Sequence, residues 1–273
     1  MFPERQLGPH REWKDEVQFL DKIFPNGSAY TVGKVNGDHW LLYLTTPPTT
    51  DEASPVDTPS ESSSTLTHDA TLPDFTLEIL MSRLAAPARR AFFYPDDPNF
   101  ADIINPSHAH GAAISSKLGI DSLFPASLTT LDAFAFEPCG YSSNALVSWG
   151  EGEGYYTIHV TPEEGWSYAS FECNVPISQS RAAGSPIPPE TQLPDLETLI
   201  QRVVTIFQPG HLSLSLFVSS DLDPSKATPI DTAQGAFKHA LATSGYRRTD
   251  KINYEFDGYD LAFASFEKLA HTR

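Results

Sequence analysis

Residues 134–174 constrain the fold of this chain more than any other stretch. They read FAFEPCGYSSNALVSWGEGEGYYTIHVTPEEGWSYASFECN and contain both cysteines of the 273-residue sequence. Alternating apolar and polar residues at 155–160 and 167–173, separated by a Pro-Glu-Glu-Gly turn, predict neighbouring antiparallel strands. Such strands place side chains that are distant in sequence next to each other. We therefore expect this stretch to carry the functional site, with the rest of the chain as its scaffold.

The elements around this stretch predict an α+β fold. Helical spacing of apolar residues favours helices at 16–24, 114–118, 195–207 and 232–243. A hairpin around Asn36-Gly37 is expected at 29–44, and further strands at 74–81, 89–94, 212–218 and 252–266. The order shows no βαβ alternation and no glycine-rich phosphate loop. We therefore predict antiparallel sheets with helices on their outer faces.

The charge balance narrows the classes of partner. The formal net charge is -17 and the pI is about 4.8, which argues against a nucleic acid and is compatible with cationic small molecules. Two cysteines cannot form a disulfide framework, and the chain shows no secretory leader, so a cytoplasmic location is expected. No apolar run approaches the roughly 20 residues that span a membrane. The scattered histidines show no metal-ligand spacing.

Two segments have the composition of insertions. Residues 45–71 are rich in Ser, Thr, Pro and Asp and poor in aliphatic side chains, which predicts a disordered loop because too little apolar surface can be buried. A second flexible insertion is expected at about 178–194. We therefore predict an N-terminal αβ piece at 1–44 and a second αβ half at 72–273.

The strand predicted at 74–81 carries an unusual face. Alternation places Asp74, Thr76 and Glu78 on one side and Phe75, Leu77, Ile79 and Met81 on the other. The simpler interpretation is a solvated outer face. The alternative is a buried acidic pocket for a cation, because unpaired buried carboxylates are costly.

The chemistry of residues 134–174 allows several interpretations. Ser142 and His159 lie at a separation that two adjacent antiparallel strands bring into contact, and such a pair suits proton transfer. Cys139 beside Gly140 fits a nucleophile, an acid or a small buried side chain. Glu163, in the turn after the histidine strand, fits a ligand of ribose hydroxyls or a solvated side chain. A cysteine-dependent hydrolase using Cys139 and His159 stays open at this point.

Five strings in the chain resemble eukaryotic, fungal-like S-adenosylmethionine decarboxylases, in that family's order. They are FLDKIFPNGSAY, TLEILM, FEPCGYSSN, YYTIHVTPE and SYASFECN. The resemblance implies an αββα sandwich of two similar halves, and decarboxylation of S-adenosylmethionine (AdoMet) to the aminopropyl donor for spermidine and spermine. It also implies a pyruvoyl cofactor, whose carbonyl forms a Schiff base with the substrate amine and serves as the electron sink.

The resemblance assigns roles to individual residues. Ser142 and His159 match the pair that assists self-cleavage of the proenzyme. Phe136 matches one of two rings that sandwich the adenine, and Glu163 matches the ribose ligand. Cys139 belongs to the matching motif but not to the position of the family's proton-donating cysteine. The acidic face becomes an expected putrescine site, since a dication makes buried carboxylates tolerable. Its members are Asp74, Thr76, Glu78, Glu172, Phe217 and Tyr259.

The chain also departs from the family's pattern. Roughly a third of the family's sequence, including the Leu-Ser-Glu-Ser-Ser motif that yields the pyruvoyl group, would precede the helix at 16–24 and has no counterpart here. Ser60-Glu61-Ser62-Ser63 imitates that motif, but it follows the FPNG segment and lies in the low-complexity loop, so we interpret it as a decoy. The expected explanation is truncation. The alternatives are a partner chain that supplies the N-terminal region, or a non-catalytic homologue that binds putrescine or a sister chain and regulates it. A homodimer is the other expected protein partner.

Overall fold

A computed structural model describes residues 6–37, 39–45, 74–94, 105–149, 152–177, 191–219, 229–256 and 258–270. The chain divides into two compact units, Met1–Thr71 and Leu72–Arg273. Residues 46–71 of the first predicted insertion, with the Ser60–Ser63 string, lie outside the described residues, as do residues 178–190 of the second. Among the described helices, none has the length and apolar character needed to cross a bilayer.

The first unit contains one α-helix and one hairpin. Helix α1 (Trp13–Leu20) follows a 3-10 turn, and strands β1 (Gly27–Gly33) and β2 (His39–Thr45) pair in antiparallel register. The predicted hairpin is confirmed. The helix predicted at 16–24 begins and ends earlier than expected, and residues 21–23 form turns before Pro25.

The second unit is built on an eight-stranded sheet in which all neighbouring strands are antiparallel. The order across the sheet is β4-β5-β6-β7-β3-β8-β10-β9. The strands are β3 (Phe75–Leu84), β4 (Thr129–Ala135), β5 (Tyr141–Trp149), β6 (Gly152–Thr161), β7 (Tyr168–Cys173), β8 (Pro209–Ser219), β9 (Tyr246–Phe256) and β10 (Tyr259–Lys268). Residues 134–174 thus supply the end of β4 and the strands β5 to β7 at one side of the sheet, and the strands predicted at 155–160 and 167–173 are confirmed as β6 and β7.

The α-helices of the second unit cover one face of this sheet. They are α2 (Ala86–Arg90), α3 (Pro106–Leu118), α4 (Leu196–Phe207) and α5 (Pro229–Thr243). Helix α3 packs on β4, and α5 packs on β8 to β10 beside α4. The strand residues that face the helices are fully buried aliphatic and aromatic side chains, such as Leu77, Ile79 and Phe171. This arrangement confirms the α+β class with an antiparallel sheet.

Three element boundaries differ from the prediction. Residues 89–94 do not form a strand. Helix α2 extends to Arg90, and Pro87 in its first turn favours the helical φ. Among residues 89–94, only Phe93 makes an isolated β-bridge, to Cys139. Helix α3 is thirteen residues long, although only its last turn was predicted. Helix α4 begins and ends as predicted, with the Asp195 carboxylate accepting from the Thr198 amide at 2.7 Å, but β8 begins at Pro209 rather than at the predicted residue 212.

Two helical glycines offer a matched test of helix–sheet packing. A Cβ on Gly111 in α3 would lie 2.6 Å from the Ala133 carbonyl carbon, whereas a Cβ on Gly235 in α5 would meet nothing within 4 Å. We expect Gly111→Ala to lower the free energy of unfolding by about 1–3 kcal/mol, because β4 must move. Gly235→Ala is expected to raise it by about 0.5–1 kcal/mol through helix propensity. Urea unfolding checks both; equal effects of the two substitutions would contradict the close approach of α3 to β4.

Candidate active site

A serine and a histidine face each other on β5 and β6. Ser142 and His159 are directly opposed in the strand register, and Ser142 Oγ lies 3.1 Å from His159 Nδ1. Both side chains lie on the face of the sheet that points away from the helices. When Nδ1 carries no proton, the serine hydroxyl donates to it, which is the arrangement that moves a proton between these atoms. The sequence separation therefore predicted this contact correctly.

An aromatic pair continues the same face on β4. Phe134 lies opposite Ser142, and its ring centroid is 4.9 Å from that of Phe136, which is 47% exposed. The chain turns back at Gly140, whose φ is 121°, beneath the Phe136 ring. The Gly140 carbonyl accepts a hydrogen bond from the Phe136 amide at 3.0 Å. A side chain at Gly140 would be strained in this left-handed conformation. Phe136 therefore presents an accessible ring beside the serine–histidine pair.

Phe134 is in turn supported from α3. Its ring meets the His108 ring edge to face at 5.1 Å, and His108 Nδ1 lies 3.2 Å from Asp132 Oδ1. Sequence reasoning did not identify Phe134, although its position two residues before Phe136 places it on the same face of the strand.

Glu163 follows the end of β6 and lies beside Cys139. Burial, and then the charge of Glu163 and a hydrogen bond with it, raise the pKa of the Cys139 thiol. Arg89, whose side chain is almost buried, donates from Nη1 to the Pro162 carbonyl at 3.4 Å and so contacts the turn that carries Glu163. A raised pKa keeps Cys139 protonated at neutral pH, which disfavours a thiolate nucleophile and hence the hydrolase interpretation.

The two central acidic residues lie opposite each other on β3 and β7. Glu78 and Glu172 are register partners, and burial followed by the Glu172 charge raises the pKa of Glu78 to about 7. Tyr155 on β6 donates from Oη to Glu172 Oε1 at 2.6 Å, and this bond, followed by burial, raises the Tyr155 pKa to about 12. Two carboxyl groups at opposed strand positions disfavour each other's ionised form.

The remaining predicted members extend this cluster along β3. Thr76 lies opposite Phe217 on β8, and the Tyr259 hydroxyl donates to Asp74 Oδ2 at 3.0 Å. The strand alternation predicted at 74–81 is confirmed, since Phe75, Leu77, Ile79 and Met81 are the buried set. All six residues of the predicted acidic site therefore share one face of four neighbouring strands.

The serine–histidine pair and the acidic cluster form one continuous surface, which we call the polar face. Ser170 on β7 lies opposite His159, and Glu172 is two residues further along the same strand. Diagonal neighbours in an antiparallel pair are about 7–8 Å apart. Tyr155, which sequence reasoning missed, belongs here; the period of two from His159 through Thr157 would have placed it on this face.

The fold and the polar face together define an α+β protein in which a hydrogen-bonded serine–histidine pair lies beside a cluster of acidic residues. The family model for adenosylmethionine decarboxylase matches residues 1–267. The chain belongs to the adenosylmethionine decarboxylase family.

Relatives support this membership across the chain. S-adenosylmethionine decarboxylase proenzymes from Xenopus laevis and Drosophila melanogaster are each 34% identical, and that from Saccharomyces cerevisiae is 31% identical. The matches cover 98%, 99% and 98% of this chain but 63%, 65% and 63% of the respective relatives. The chain thus spans a little under two thirds of the length of these curated relatives.

A solved structure shares the fold. The crystal structure of the Trypanosoma brucei AdoMetDC-delta26 monomer superposes with a TM-score of 0.55 at 21% identity, over 99% of this chain and 81% of that one. The likeness shows that the chain has the fold of this family, as the motifs predicted.

Proposed function

We propose that this chain supplies the substrate-binding and proton-transfer residues of a pyruvoyl-dependent AdoMet decarboxylase, a carboxy-lyase of polyamine biosynthesis. The observation that carries the proposal is the 3.1 Å contact between Ser142 Oγ and His159 Nδ1, within the motif strings of the family. His159 holds or moves the proton of the Ser142 hydroxyl in this geometry. The cytoplasmic location remains part of the same prediction.

The substrate's nucleoside would lie against Phe136 and Glu163. The exposed Phe136 ring offers a surface on which adenine can stack, and the Glu163 carboxylate can accept hydrogen bonds from ribose hydroxyls. The Cys139 thiol, which is hydrogen-bonded to Glu163, holds that carboxylate at the end of β6. Both contacts lie on the β4–β7 side of the sheet, next to the serine–histidine pair.

The residues present fit a pyruvoyl group on the polar face. The Ser142 hydroxyl and the His159 ring form a hydrogen bond with each other rather than with a residue of the core. Both can therefore act on a carbonyl placed beside them. The group would supply an electron sink for loss of the substrate carboxylate. Ser142 would orient it through its hydroxyl, and His159 would hold the proton at Nδ1. Ser60–Ser63, the one string that imitates the family's cleavage motif, lies outside the described residues.

The acidic cluster would bind putrescine, whose two ammonium groups complement Glu78 and Glu172. Asp74 with Tyr259, and Thr76 with Phe217, would line the rest of that site. A homodimer, or a chain that supplies the N-terminal region of the family's sequence, is the protein partner that the proposal implies.

Equilibrium binding of AdoMet to the 273-residue chain tests the substrate assignment. We expect saturable binding that Phe136→Ala and Glu163→Gln each weaken about tenfold or more, because each removes a stacking or charged hydrogen-bond contact. Ser142→Ala is the matched control: it should bind AdoMet within about threefold of the wild type, since its hydroxyl acts on the reacting group. Absence of saturable binding, or wild-type affinity in Phe136→Ala, would overturn the proposal for this chain.

A second candidate is a non-catalytic homologue that binds putrescine or a sister chain and regulates it. The observation that favours it is that the acidic cluster is built from residues of this chain alone: Glu78 and Glu172 are register partners, and the Tyr259 hydroxyl donates to Asp74. The intact mass under denaturing conditions separates the two for this polypeptide. Two fragments split at Glu61-Ser62 would mean an internal cofactor, and a single species of 30.0 kDa would mean that this chain carries none.

A further inference from the structure

A pocket of about 470 Å³ lies within the second unit, where β3 and β10 end and β8 and β9 begin. It is distinct from the polar face, since Val204 and Thr205 of helix α4 contribute to its wall. Its volume falls within the range of about 300–1,000 Å³ that small-molecule sites occupy. The lining residues that carry the argument are Arg83, Val204, Gln208, Gly210, Tyr246 and Lys268.

The backbone around this pocket is left-handed at two positions, one of which, Gln208, is the C-cap of α4. Arg83 and Gln208 both have positive φ, at 55° and 46°, a conformation that residues other than glycine rarely adopt. Gly210 makes the arrangement possible, because a Cβ there would lie 3.0 Å from Arg83 Cβ and 3.1 Å from the Arg83 carbonyl oxygen. Strain of this kind persists where the surrounding structure holds it, and it concentrates at ligand sites.

Two cationic side chains line the pocket. Lys268 is held in place, since Nζ donates to the Ser244 carbonyl at 2.7 Å and lies 4.4 Å from the centre of the Tyr246 ring. The Tyr246 hydroxyl is fixed in turn by donating to the Pro209 carbonyl at 2.7 Å. Within the described ranges, the Arg83 guanidinium has no acidic partner. Glu267, which precedes Lys268, faces Arg247 instead, at 3.8 Å.

We infer that this Arg83–Lys268 pocket binds a small molecule that carries a carboxylate or phosphate group. An arginine fork and a lysine ammonium are the donors that recognise such oxyanions. Val204 and Pro209 would contact an apolar part of the same ligand. The contact of Lys268 with the Ser244 carbonyl is explained by capping of the C-terminus of α5. This capping does not explain the left-handed backbone of Arg83. The chain has 35 acidic and only 18 basic residues, so two basic side chains with no carboxylate between them are unusual in it.

Methyl NMR of the full chain tests the inference. The methyl groups of alanine and valine are labelled, and the Ala85 and Val204 signals are assigned by substitution. Sodium phosphate or sodium succinate is then titrated into the protein, with the ionic strength held constant by sodium chloride. We expect saturable shifts of these signals with at least one probe. Saturation by phosphate alone, by succinate alone or by both would each support the site and identify the group that it prefers.

Two variants and a control separate binding from general electrostatics. Arg83→Asn removes the guanidinium with a residue that tolerates positive φ, and Lys268→Gln removes the ammonium; each should weaken binding about tenfold. Arg247→Gln on exposed β9 changes the net charge equally and should leave Kd within about twofold. The inference is overturned if neither probe gives saturable shifts, or if both pocket variants bind as tightly as Arg247→Gln. Neither result depends on AdoMet binding at the polar face.

Discussion

The Glu78→Gln variant is expected to be more stable than the wild type by about 3 kcal/mol at pH 8, and by less than about 1 kcal/mol at pH 5. The cause is the pKa of Glu78, which burial and then the Glu172 charge raise from 4.5 to about 7. Glutamine has the shape of the protonated carboxyl group but cannot ionise. Urea unfolding at the two pH values measures the difference.

The sign of this effect follows from proton binding. Between pH 4.5 and pH 7 the folded protein keeps the Glu78 proton while the unfolded chain releases it, so the free energy of unfolding falls as pH rises through this window. Above pH 7 both states are ionised and the loss is complete. Glu255→Gln, an exposed carboxyl on β9, is the control and should change stability by less than about 0.5 kcal/mol at either pH. A gain in Glu78→Gln that is equal at pH 5 and pH 8 would contradict the raised pKa.

Much of this region was accessible from the sequence because strand periodicity is strict. Once residues 74–81 and 155–173 are assigned as strands, the period of two decides which side chains share a face, and Ser142 and His159 need only one hairpin to meet. The acidic face illustrates the limit of such reasoning. Alternation placed Asp74, Thr76 and Glu78 together, but the raised pKa of Glu78 depends on burial and then on Glu172 from β7, a strand almost a hundred residues away in the chain.

The features that the sequence did not reveal are set by tertiary contacts. Residues 89–94 have the composition of a strand, yet Pro87 in the first turn of α2 favours a helix that extends to Arg90. The left-handed backbone of Arg83 and Gln208 has no sequence signal, because neither residue type favours this conformation, although Gln208 adopts it as the C-cap of α4. The pocket they line was therefore invisible to periodicity and propensity alone.

Putrescine is expected to bind about ten times more tightly at pH 8 than at pH 6, if the polar face holds the diamine as proposed. Both of its ammonium groups stay charged in this range, so the pH dependence comes from the protein. With a pKa of about 7, roughly a tenth of Glu78 is ionised at pH 6 and roughly nine tenths at pH 8, and the apparent affinity scales with that fraction. Isothermal titration calorimetry at both pH values measures the ratio.

The groups around Glu78 determine how sharp this dependence is. Glu172 faces it from β7, and Tyr168, whose own pKa is raised by burial and then by the Glu78 charge, lies further along that strand. Tyr155 remains a neutral donor to Glu172, since its pKa is about 12. A bound dication would favour the ionised form of Glu78, so binding at pH 6 should release close to one proton, and binding at pH 8 close to none. Calorimetry in two buffers with different ionisation enthalpies counts these protons.

Glu172→Gln separates the charge of the site from the pKa of Glu78. It removes one carboxylate, so putrescine should bind more weakly than to the wild type at pH 8. It also removes the second cause of the raised Glu78 pKa, so the affinity ratio between pH 8 and pH 6 should fall below that of the wild type. Glu255→Gln should keep both the wild-type affinity and the wild-type ratio. Equal affinity at pH 6 and pH 8 in the wild type, with no proton release, would mean that the diamine does not bind at Glu78.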